Sequence, residues 1–125
     1  LKSTPPRTVL PVIEKLKEAY KTWQDILPHV AKSHRQTIGL KIDTLLIGVL
    51  EQTFKASYAS GDQKYQFISN AVIGNDSAKF FLLVAWECKI LNDKHYLRIS
   101  KTLVEASKML VGWKNYSENK TSALH

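Results

Sequence analysis

Lys94, Arg98, Lys101 and Lys108 fall at steps of four, three and seven, which lines four cations along one side of a helix. Lys32, His34, Arg35 and Lys41 form a second basic cluster earlier in the chain. Cations in such rows suit the neutralisation of a polyanion's phosphates with release of its counterions. Arg35, Lys41, Lys94, Arg98, Lys101 and Lys108 are therefore the candidate phosphate contacts. Eighteen Lys and Arg against eleven Asp and Glu leave a formal net charge of +7, with a pI near 9.5. That balance bears on partners, nucleic acid or an acidic protein, and not on fold. Glu105 interrupts the later row, and the competing reading of either cluster is a solvated face.

Other chemistry finds no comparable set. Gly39, Gly48, Gly61, Gly74 and Gly112 stand alone, so no glycine-rich loop cradles a phosphate. Glu14 and Glu18 lie among Lys15, Lys17 and Lys21 as ordinary ion-paired helix surface. Glu51, Glu87 and Glu105 fall on different helices, and the paired Glu-x-x-His motifs of a di-iron bundle are missing. His29, His34, His95 and His125 are scattered without i, i+4 pairing. The expectation is a protein with no intrinsic catalysis, no metal and no cofactor. Cys88 reads as a small buried hydrophobe. Trp23, Trp86 and Trp113 read as core or interface residues, not as platforms for stacked bases. With one cysteine, no hydrophobic leader in Leu1–Arg7 and no uncharged apolar run of membrane length, the expected location is the cytoplasm.

The elements that must position these residues are helices. At 125 residues, 44% of them hydrophobic, the chain fits one domain with a real core. Val12, Ile13, Leu16, Tyr20, Trp23, Leu27 and Val30 recur at three- and four-residue steps, which predicts a first helix over about 9–32. Pro28 should kink it, and the alternative is a stop near Leu27 and a restart. Ser33 and Gln36 make a capping box for a second helix over about 34–59. Ser60, Gly61 and Asp62 supply a reversal into a third, about 63–91. Gly74-Asn75-Asp76-Ser77 leaves open whether that helix breaks or runs through. Asn92 or Asp93 caps a fourth, about 93–116, with 117–125 expected to be disordered.

No strand pattern competes. The expected fold is all-α, an up-down-up-down four-helix bundle. Ala78 to Cys88 is apolar almost all the way round at helical spacing, so this segment must be covered on several sides. In so short a chain that implies other copies, and the bundle is expected to be the protomer of a closed homo-oligomer.

Three local features together resemble a known family: Pro28-His29 late in the first helix, His34-Arg35-Gln36-Thr37-Ile38-Gly39 opening the second, and Glu105 with Met109-Leu110-Val111-Gly112-Trp113 closing the fourth. Their spacing is similar to that of the accessory variability determinant proteins of diversity-generating retroelements, over about residues 11–113. The resemblance implies a homopentameric barrel of four-helix protomers and a basic surface that binds RNA and DNA with little sequence preference. It also implies a complex with a reverse transcriptase, and an unbroken third helix. Val111 stands where the family commonly ends Gly-Gly-Trp. Proteins encoded in intervening sequences of ribosomal RNA genes form a second group with the same bundle, but their Asn-Ile-Ala-Glu-Gly-type signature is missing. The remaining alternative is an oligomeric scaffold that binds an acidic protein.

Overall fold

The computed structural model describes residues 9–124; Leu1–Arg7 and His125, which entered the reading of the termini, lie outside them. All regular structure among the described residues is helical: α1 Val9–Ile26, a 3-10 turn Leu27–His29, α2 Lys32–Arg35, α3 Ile38–Ser57, α4 Gly61–Glu87 and α5 Asp93–Leu124. The four long helices pack in a ring, α1 on α3, α3 on α4, α4 on α5, and α5 back on α1. This is a helical bundle whose members alternate in direction. One core layer joins the end of α1, the start of α3, the end of α4 and the start of α5 through Trp23, Ile26, Ile42, Leu82 and Ile99. The other joins their opposite ends through Val12, Leu16, Val49, Ile68 and Leu110.

Pro28 ends the first helix instead of kinking it. Its ring lacks an N–H and would clash with the carbonyl four residues back, so it sits in the first turn of the 3-10 segment. Val30 is extended there, at φ −82° and ψ 132°. The expected capping box is not made. Ser33 lies inside the short α2, and Thr37 precedes α3, its Oγ1 donating to the His34 carbonyl at 3.2 Å.

The stretch Gly74 to Ser77 stays helical because tertiary contacts outweigh propensity. Asn75 is fully buried, and its Nδ2 donates to Leu103 O at 3.1 Å and Ser107 Oγ at 2.7 Å on α5. Gly74 lets α3 approach: a Cβ there would lie 2.9 Å from Val49 Cγ2. Asn92 caps α5, its Oδ1 accepting the His95 N–H at 2.7 Å. That helix continues to Leu124, past the expected end at 116, and Ser117 still reaches the core.

Candidate nucleic-acid interface

The six candidate cations are not equivalent. The Arg35 guanidinium donates to the carbonyls of Val30 at 2.8 Å and Pro28 at 3.0 Å, so it closes the turn after α1. Arg98 reaches from α5 to Asp25 of α1 at 3.1 Å. Lys41 holds its Nζ over the Phe81 ring, 5.6 Å from its centroid. Lys94, Lys101 and Lys108 are exposed, and among the described residues no carboxylate lies within ion-pair distance of them. Glu105 does not break their row. It turns toward α1, where its Oε1 is 3.1 Å from Lys15 Nζ.

Seven-residue spacing sets these three lysines about 10 Å apart along the helix axis, on nearly one line. Leu97, Val104 and Val111 repeat at the same interval beside them and are also exposed. The outer face of α5 is thus a cationic row flanked by an aliphatic one, carried on a helix that Ile99, Leu103, Ala106 and Leu110 anchor in the core. Phosphates can lie on the first row while the second meets apolar sugar or protein surface.

The row starts at a cleft. His29, Trp86, Lys89, Asp93, Lys94 and His95 are among the residues that wall an open space of about 810 Å³ at one end of the bundle. Lys89 forms part of the wall by taking the left-handed conformation, φ 61°, just past α4. Ile90 N–H bonds back to Ala85 O at 2.8 Å and Lys89 N–H to Trp86 O at 3.0 Å, a Schellman ending in which glycine is the usual residue. A side chain there costs about 1–2 kcal/mol.

His29 and His95 meet here with ring centroids 5.0 Å apart. Burial holds the His95 imidazole below its ordinary acidity range, and the charges of His29, Lys94 and Arg98 push the same way. The folded state therefore binds its proton less readily than the unfolded chain. The stability this contributes is present above the ordinary histidine value, about 6.5, and is lost as pH falls from there through the lower folded value. Thermal unfolding followed by circular dichroism should show Tm decline from pH 7.5 to 5.5, and His95→Gln should remove part of that decline.

Several of these features escape sequence reading. Trp86 is not core: 37% of it is exposed and it faces the cleft. Cys88 is exposed at the end of α4, contrary to the buried position its apolar neighbours suggest. The histidines gather across elements distant in sequence, which spacing along one helix cannot reveal. Trp23 and Trp113 are buried as expected. Among the described residues, no three His, Cys, Asp or Glu side chains gather as a metal site would require, and no helix is long and apolar enough to cross a membrane.

No family model matches the chain, and no curated protein or solved structure matches it. The resemblance to the accessory variability determinant family does not hold. Two of the segments that carried it take other local structure, with Pro28-His29 in a 3-10 turn and His34–Gly39 divided between α2, a turn and α3. The described residues are all-α with no β-strand, and no match supports the family or its barrel. The pentameric barrel falls with that family, and the reverse-transcriptase partner, which rested on it alone, is left without support.

Proposed function

We propose that this chain is a non-catalytic, self-associating helical-bundle protein that binds the phosphates of RNA or DNA through α5. The observation that carries the reading is the row Lys94, Lys101 and Lys108, exposed and without carboxylate partners among the described residues, on a chain of net charge +7. Lys15, Lys17, Lys55 and Lys79 pair with carboxylates, and so does Arg98, which leaves each of them less free to meet a phosphate. Support for self-association comes from Ile73 and Phe80 on α4, 64% and 58% exposed. Leu40, Ile47 and Phe54 add a second open row at seven-residue spacing on α3. Association would cover such faces and repeat the lysine row with each copy, multiplying the phosphates that one assembly can neutralise.

A filter-binding assay at low salt tests the reading. Retention of RNA and duplex DNA to similar extents, with light scattering giving a mass at least twice 14.2 kDa at micromolar concentration, is the expected result. No retention by the wild-type protein would leave the lysines as a solvated face and give first place to an acidic protein partner.

A further inference from the structure

Trp86 is held in place yet left open. Its Nε1 donates to Asp93 Oδ1 at 2.8 Å. Its ring stacks on Tyr96, with centroids 5.0 Å apart and planes 15° from parallel. A side chain fixed in this way loses little freedom when another flat group lies against it.

Charge in the cleft is nearly balanced. Lys89 and Lys94 share it with Glu87 and Asp93, so a lone phosphate finds no strong trap there. What the cleft offers is aromatic surface beside the two imidazoles. Lys94 belongs both to this wall and to the α5 row, so a polyanion lying on Lys101 and Lys108 and continuing toward Lys94 arrives at the exposed indole. A duplex keeps its bases stacked inside and cannot use that surface. A single strand can, because every base has a flat face to lay on an aromatic ring.

The geometry points to a site for one unpaired base of single-stranded RNA or DNA, stacked on Trp86 with its neighbouring phosphates on the α5 lysines. This rests on the reading of α5 as a phosphate-binding face, and it adds a preference that the lysines alone do not give.

Fluorescence anisotropy with a labelled oligo-dT strand, and with a labelled duplex of equal length, tests it at low salt. Trp86→Leu should weaken the single strand about 5- to 150-fold, the range one base–aromatic stack contributes, and change the duplex less than twofold. Trp86→Phe should keep most of the single-strand affinity. In the wild type, unlabelled oligo-dT should quench tryptophan emission and the duplex should not, a readout that needs no substitution, since Trp23 and Trp113 are buried. Equal losses on both ligands, or no loss on either with no quenching, overturn the base site and leave the α5 reading standing. Absence of wild-type binding to both ligands overturns the two together.

Discussion

Trp23→Ala should destabilise the protein by about 3–5 kcal/mol, because it removes one of the largest fully buried side chains and leaves a cavity that packed helices cannot close. Trp23 is 1% exposed and contributes to the core layer shared by α1, α3, α4 and α5. Against a total of roughly 5–15 kcal/mol for a domain of this kind, that is a large fraction. It corresponds to a fall in Tm of roughly 10–20 °C. Phe80→Ala makes the informative comparison. In a lone chain Phe80 is 58% exposed, and removing it should change stability by about 0.5 kcal/mol or less. If copies cover α4, the same substitution should lower the associated mass and make Tm depend on protein concentration. Chemical denaturation of both variants, at two protein concentrations, reads these effects side by side.

Reversing charge at Lys101 and Lys108 should be the most damaging change for binding. Each lysine that neutralises a phosphate releases counterion, so losing two contacts weakens binding by about 10²-fold at 0.1 M salt for each copy in contact, before any added repulsion. Both side chains point away from the core, on a helix held by Leu103, Ala106 and Leu110, so fold and associated mass should be unchanged. The loss should be similar for every sequence, since contacts to phosphate position a protein without reading bases. Arg35→Ala should behave differently. Its guanidinium holds the carbonyls of Pro28 and Val30, and its loss should appear in stability more than in affinity.

The core helices were legible because their periodicity is strong. Val12, Leu16 and Trp23 on α1, and Ile99, Leu103 and Leu110 on α5, face inward as their spacing requires. Legibility failed where a distant partner decides the outcome. Asn75 looks like a turn residue until Ser107 and the Leu103 carbonyl stand opposite it, and Gly74 looks like a breaker until Val49 lies against it. Pro28 carried two possible meanings, a kink or a stop, and the helix stops. The α5 row could be read from spacing, yet the difference between Arg98 and Lys101 could not, because Asp25, which pairs with Arg98, belongs to α1. The cleft was invisible in sequence. Its walls come from the turn after α1, the end of α4 and the start of α5, and Trp86 sits in so apolar a segment that burial was the natural expectation.

The salt dependence of wild-type binding to duplex DNA tests the central claim most directly. If three α5 lysines from each of two associated copies neutralise about six phosphates, log affinity against log salt should fall with a slope near −5. Lys101→Glu with Lys108→Glu should flatten that slope by about two for each copy in contact. A slope near zero, or a wild-type slope that the double substitution leaves unchanged, would contradict the assignment of phosphate binding to α5.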